Sequence, residues 1–373
     1  MNRAAQSLAK GAAGVALLHI EQAASGRGSW GSVHAHLAAA LRGGVSSGHG
    51  MGLFYGAPAA AYAVHTATIG PGRYERAVQA LDRAVETTTR ARLEAAHARI
   101  DRGDLPEFGE YDLLYGMTGI GAHLLRHHRG GDLLPAVLAY LVRLAEPLPV
   151  GLPGWWTHLA PSGERSPDYP GGHGNLGLAH GIAGPLALLS LAVRRRVSVP
   201  GQIEAIRTIC AWLDGWRQEG AAGPWWPEAV TRSEEAARRT RQRGPLRPSW
   251  CYGTPGLARA QQLAGLALGD TARRRMAETA LLGCLTDPAQ LSRVTDDGLC
   301  HGTAGLFQTV WRVAQDSSGP AFAEQLDVLA EHLPPAGEDP VGLLDGATGA
   351  ALARHTATTR TVLSGWDSCL LLN

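Results

Sequence analysis

A Gly-x-x-Gly element that opens an apolar, helix-forming run recurs along the 373-residue chain. It reads KGAAGVALL at Gly11 and Gly14, YGMTGIGAHLL at Gly116 and Gly119, and HGIAGPLALL at Gly181 and Gly184. It returns as YGTPGLARA at Gly253 and Gly256, HGTAGLFQTV at Gly302 and Gly305, and DGATGAALA at Gly346 and Gly349. A seventh copy, YGAPAAAYAV from Gly56, has Ala59 at the second glycine. The first glycines are therefore spaced 45, 60, 65, 72, 49 and 44 residues apart. Self-similarity of this kind marks an architecture in which each repeat is one supersecondary unit. Every interval has room for the repeat's own helix, a loop and a second helix. The stretches Tyr74 to Ile100, Ile203 to Trp216 and Thr271 to Leu285 read as amphipathic helices. Strand-like alternation is scarce. The pattern predicts an all-α chain of seven helical hairpins closing into a ring, with one helix of each repeat inside and the other outside. Glycine is expected where inner helices converge and where a loop turns sharply into a helix. Seven unrelated helix starts in a Gly-rich chain would be the plainer reading, but near-copies in one register count against it.

The same register gathers chemistry. The residue before each first glycine is Lys10, Tyr55, Tyr115, His180, Tyr252, His301 or Asp345, and Cys251 and Cys300 stand two before theirs. Equivalent positions in a ring of equivalent helices lie at one end of it. His180, Cys251, Cys300 and His301 are therefore expected at one mouth. Two thiolates and an imidazole from Cys251, Cys300 and His301 favour zinc, and three protein ligands leave a fourth tetrahedral position open. Without the register, two buried cysteines and a core histidine would be the default. Adjacent ligands at Cys300 and His301 require a non-helical backbone, which Gly302 helps supply.

Composition narrows the class. Apolar residues make up 45% and charged residues 18%, so the chain is built to bury a large core. A net charge of +1 gives no bulk pull toward nucleic acid or membrane. Five cysteines are too few and too scattered for a disulfide framework and fit a reducing compartment. The run Gly11 to Ile20 followed by Ala23, Ala24 and Ser25 has the outline of a weak signal peptide, but it is better explained as the first repeat. No apolar segment reaches the roughly 18 residues of a membrane span. A cytoplasmic protein is expected.

At this point the residues resemble a known family. SWCYGTPG (Ser249 to Gly256) and LCHGTAG (Leu299 to Gly305) look like the two zinc-ligand motifs of the lanthionine synthetase C-like family. NLGLAHGIAGPLALL (Asn175 to Leu189) resembles its histidine motif, and EYDLLYGMTGIG (Glu110 to Gly121) its aspartate motif. The four occur in the family's order, and the resemblance spans all seven repeats. It implies a double-layered α/α toroid with seven inner and about seven outer helices, in a single domain over residues 1–373. It also implies that Cys251, Cys300 and His301 bind Zn²⁺, with His180, Asp112, Arg247 and Tyr252 as the polar catalytic residues. The implied reaction is addition of peptide cysteine thiols to dehydroalanine or dehydrobutyrine, forming lanthionine or methyllanthionine rings. The implied partner is a dehydrated precursor peptide, leader plus core, prepared by a separate dehydratase. Some members carry a small β-rich insertion; no strand cluster is evident here, which puts a docking role for that module in doubt.

Two other functions compete: addition of glutathione or another external thiol to dehydroamino acids, and a non-catalytic scaffold that binds a modified peptide. Intact His180, Asp112 and Arg247 argue against the scaffold. His49 and His173, in the loops SSGHGMG and GGHGNLG, are candidates for the rim of the mouth, with ordinary loop histidines as the simpler reading. Trp155–Trp156 and Trp225–Trp226 read as packing anchors, and Cys210, Cys284 and Cys369 as buried thiols. The stretch Arg232 to Arg247 holds six arginines and two glutamates. It reads as a solvated segment or as a contact for a precursor peptide or partner enzyme.

Overall fold

The repeat elements do open helices. In a computed structural model describing residues 4–128, 130–335 and 342–373, thirteen helices of nine or more residues follow one another. They are α1 (Ala12–Ala24), α2 (Trp30–Leu41), α3 (Ala57–Ala67), α4 (Glu75–Arg102), α5 (Met117–His127), α6 (Leu133–Leu144) and α7 (Ala183–Arg194). Then come α8 (Gln202–Trp216), α9 (Thr254–Leu268), α10 (Thr271–Thr286), α11 (Thr303–Asp316), α12 (Ala323–Glu331) and α13 (Ala347–Thr359). The odd-numbered helices are the seven repeat helices. The first glycine is the N-cap of every one except α7, which starts two residues after Gly181. Six of the seven expected second helices are present; after α13 the described chain ends in a 3₁₀ turn, Trp366–Leu370.

Burial separates the two sets. In α9 every residue from Thr254 to Gly265 is buried, and α7 is buried from Ala183 to Ala192. A helix buried on all faces belongs between two layers. The even helices bury one stripe. In α8 that stripe is Ala205, Ile206, Ile209, Cys210, Leu213 and Trp216, a 3.6-residue pattern.

The glycines serve close approach more than unusual dihedrals. Gly11, Gly116, Gly253, Gly302 and Gly346 are all extended, a conformation open to any residue. Only Gly56 has positive φ, at 76°. None of these repeat N-termini has a side-chain cap; the preceding loop curls over the first turn instead. Its N–H groups donate to carbonyls seven residues back: Gly119 N to Asp112 O, Ile182 N to Asn175 O, Gly256 N to Ser249 O and Gly305 N to Gly298 O. A Cβ at the second glycine would collide with that loop. It would lie 1.9 Å from Trp250 O at Gly256, 1.9 Å from Leu299 O at Gly305 and 2.1 Å from Leu343 O at Gly349. The neighbour is the repeat's own loop, not the adjacent inner helix. The second repeat, with its different Gly56 geometry, accommodates Ala59.

Two compact units are distinguishable, residues 1–89 with 294–371 and 373, and residues 90–293 with 372. In the first, α11 packs on α13, α13 on α1, and α1 on α3. In the second, α5 packs on α7 and α7 on α9. Within each unit, neighbouring repeat loops are stitched together by backbone hydrogen bonds. Leu8 N donates to Phe54 O (3.1 Å), Leu343 N to Ala9 O (2.7 Å) and Cys300 N to Leu344 O (2.9 Å). In the second unit Leu113 N donates to Ala179 O (3.0 Å), and Leu178 N to Cys251 O (2.8 Å). The acceptor is always the carbonyl two residues before the next repeat's glycine. The four strands are three residues each: β1 (His173–Asn175) pairs antiparallel with β4 (Ala229–Thr231), and β2 (Gln218–Gly220) with β3 (Gly223–Trp225). Three residues are too few for alternation to be read in a sequence.

Candidate active site

The loops before α5, α7 and α9 bring Asp112, His180, Cys251 and Tyr252 together. Leu178 N and Ala179 N both donate to the Cys251 carbonyl, and Leu113 N donates to Ala179 O. His180 is thereby held next to the other two loops by the backbone alone. Its Nδ1 lies 2.6 Å from Asp112 Oδ2. Asp112 is fully buried and its other oxygen accepts from Tyr115 N (2.6 Å) and Gly116 N (2.8 Å). A carboxylate clamped in this way fixes the imidazole as Nδ1–H and leaves Nε2 as the exposed, proton-accepting nitrogen. The His180 side chain is 24% exposed. The rings of Tyr115 and Tyr252 each lie 6.1 Å from it, near parallel at 25° and 30°. Beneath this turn Arg92 donates to Gly109 O (2.6 Å) and Tyr115 O (2.9 Å).

Ser249 does for the Cys251 loop what Asp112 does for the His180 partner loop. Its hydroxyl accepts from Tyr252 N (3.3 Å) and Gly253 N (2.9 Å), and Cys251 Sγ lies 3.6 Å from it. Burial, together with the nearby Cys251, Asp112 and Glu228 charges, raises the Tyr252 phenol well above its ordinary value; Asn175 Nδ2, donating to its oxygen at 3.4 Å, opposes this. Tyr252 is therefore a neutral hydrogen-bonding group. Glu228 is half-buried, and burial and then Cys251 push its carboxyl up while the Arg247 charge pulls it down. Arg247 stands six residues before Gly253 on the same loop.

On the loop before α11, residues 299–301 form a turn, as adjacent ligands require. His301 Nε2 faces Asp296 Oδ2 at 3.4 Å. Asp296 Oδ1 also accepts from Gly298 N (3.2 Å), as Asn175 Oδ1 accepts from Gly177 N (2.9 Å). Cys300 and His301 offer a thiol and an imidazole side by side on this turn, and Cys251 offers a second thiol on the loop before α9. The donor set, soft sulfur with imidazole, fits zinc.

Asn175, Asp296 and Glu228 were missed by sequence reasoning. Asn175, Arg247 and Asp296 share one register position, six before the repeat glycine, so the first and last were within reach of the same comparison. Glu228 lies outside the repeat and has no such signal. His49 is exposed, whereas His173 is not on any rim. It is fully buried, with Nδ1 2.7 Å from Leu159 O, and burial depresses its pKa to about 4. The tryptophan pairs are buried anchors. Cys210, Cys284 and Cys369 are buried thiols; burial raises all three, Cys210 and Cys284 to about 12.

A family model described as lanthionine synthetase C-like protein matches residues 4–371. The chain belongs to the lanthionine synthetase C-like family. A curated relative, the nisin biosynthesis protein NisC of Lactococcus lactis subsp. lactis, is 24% identical over 310 residues, covering 80% of this chain and 72% of NisC. A solved structure of nisin cyclase superposes with a TM-score of 0.84 at 21% identity, over 100% of this chain and 93% of that one. That likeness carries the fold class, an all-α toroid, as the resemblance implied. No helix among the described residues is long and apolar enough to cross a membrane.

Proposed function

We propose that this lanthionine synthetase C-like protein is a peptide cyclase that joins cysteine thiols to dehydroalanine or dehydrobutyrine, forming thioether rings in a dehydrated precursor peptide. The observation that carries the reading is the His180–Asp112 pair beside Tyr252 on the loop of Cys251, in a chain whose family model spans 4–371. In this reading Cys251, Cys300 and His301 would hold one Zn²⁺, which would supply a Lewis acid for the substrate thiol. Zinc, when bound, lowers the pKa of a coordinated thiol so that it is available as thiolate near neutral pH.

His180 Nε2 takes the proton that the substrate thiol releases. The sulfur lone pair forms the new C–S bond at the β-carbon of the dehydro residue, and the C=C electrons move toward the α-carbon and its carbonyl oxygen. The same proton, delivered from His180, then completes the α-carbon, so the reaction balances with no co-reactant. Asp112 keeps Nδ1 protonated and steadies the imidazolium in between. Tyr252, un-ionised, would donate to the developing enolate oxygen, and Arg247 adds positive charge to the same loop. The dehydrated peptide would come from a dehydratase. None of the five cysteines, all among the described residues, is joined in a disulfide, which supports a cytoplasmic setting.

Purified protein should carry about one zinc per chain and, given a dehydrated Cys-containing peptide, remove free thiol with no change in peptide mass. A gain of mass dependent on added glutathione would point to intermolecular thiol addition instead. Full activity in a metal-free preparation would end the zinc assignment.

A further inference from the structure

A cavity of about 890 Å³ lies beside α9, between the β2–β3 hairpin, the segment 239–245 and α10. Its volume is in the upper range of ligand-binding clefts. Three arginines line it: Arg239, Arg241 and Arg243. They come from a segment without regular secondary structure that follows the short helix Arg232–Ala237. The acidic groups on the same walls are already committed. Glu234 accepts from Thr231 N (2.8 Å), Thr231 Oγ1 (2.6 Å) and Arg241 N (2.6 Å). Asp287 accepts from Ala289 N (2.9 Å) and Gln290 Nε2 (2.9 Å), and Glu219 from Arg217 (3.1 Å). No carboxylate among the described residues pairs with the guanidinium of Arg239, Arg241 or Arg243. By contrast, Arg238 is held by Glu235 at 2.6 Å and lies over the Trp216 ring. Thr254, the first residue of α9 and three residues after Cys251, is one of the lining residues.

We propose that this cavity is a docking groove for an acidic, extended segment of the peptide substrate, outside the residues that form rings. The inference rests on the peptide-cyclase reading above. Three uncommitted guanidiniums give the groove an excess of positive charge that the protein does not neutralise itself, and guanidinium forks pair bidentately with carboxylates. Because Thr254 is among the lining residues and follows Cys251 and Tyr252 directly on the chain, a peptide anchored there lies beside the helix whose leading loop carries both. Anchoring one part of the peptide raises the local concentration of each cysteine at the site without consuming specificity there.

The test measures binding separately from chemistry. Fluorescence anisotropy is read on a labelled synthetic peptide with four consecutive Asp or Glu residues, and on its Asn/Gln counterpart. The intact protein should bind the acidic peptide at least about tenfold more tightly, with the difference shrinking as salt rises, since screening cuts exposed charge pairs. The variant R239Q/R241Q/R243Q should lose that preference while keeping the wild-type thermal midpoint and zinc content. R73Q/R76Q/R83Q, which removes three exposed arginines elsewhere, should keep it. Equal affinity for the two peptides, or an unchanged preference in R239Q/R241Q/R243Q, overturns the proposal. Arginine-dependent binding of a single-stranded oligonucleotide tighter than that of the acidic peptide also overturns it. Because anisotropy needs no turnover, failure of the cyclase reading shows as absent thiol loss, and failure of the groove as absent charge preference.

Discussion

At the scale of single residues, Asp112 has two jobs that one substitution can separate. Its Oδ1 holds the turn through Tyr115 N and Gly116 N, and its Oδ2 holds His180 Nδ1. Asp112→Asn can keep the first while presenting an amide N–H to Nδ1. That forces the imidazole into its other tautomer, with the proton on Nε2, where a proton acceptor is needed. The expected outcome is a near-native thermal midpoint and a loss of about 10²–10⁴ in the rate of thiol consumption. His180→Ala should lose a similar factor and retain its metal. A D112N variant as active as wild type would reduce Asp112 to a turn-former. What the sequence made legible here was whatever sat one or two places before a glycine. His180, Cys251, Cys300 and His301 were found because apolar runs make an odd polar residue conspicuous. Asn175 and Asp296 occupy loop positions where polar residues are ordinary. Glu228 acquires its meaning only through burial beside Cys251 and Arg247.

At the scale of elements, the repeat is a helix whose N-terminus is roofed by its own loop. The roof supplies the carbonyls that the first turn needs, and its cost is space for a side chain at the second glycine. Gly256→Ala would drive a methyl to 1.9 Å from Trp250 O, one residue from Cys251. Such overpacking is expected to cost about 3 kcal/mol in urea unfolding and, under the proposed zinc assignment, to lower metal affinity by displacing the Cys251 loop. Gly269→Ala has open space but a φ of +69°, so it should cost about 1 kcal/mol and leave the metal untouched. If the two cost the same, backbone strain rather than crowding governs the motif. The helices themselves were readable because period and capping are local. Which atom each glycine has to clear was not, since that atom belongs to a loop folded back over the helix.

At the scale of the whole molecule, stability is coupled to pH through His173. Its imidazole is buried and neutral, with a pKa of about 4 against 6.5 in the unfolded chain. Its contribution is complete above pH 6.5. Below that the unfolded chain takes up a proton that the native state refuses, and stability falls by about 1.4 kcal/mol per pH unit until the pH nears 4. His173→Asn keeps an N–H for Leu159 O and removes the titration, so its stability should be flatter between pH 6.5 and 4. An unchanged slope in urea midpoints would place the acid sensitivity elsewhere. The repeat count and the all-α class were legible at this scale because seven copies of one signal reinforce each other. The four short strands were not, being set by tertiary pairing.

The backbone stitches between repeat loops carry a wider implication. Each one uses only peptide groups, so it is indifferent to the side chains at the positions it aligns. Lys, Tyr, His and Asp all occupy the place just before the glycine. Intervals as unequal as 44 and 72 residues are tolerated for the same reason. Such a frame behaves like a rack of identical sockets: chemistry can be exchanged one socket at a time, by point mutation, without redesigning the rack.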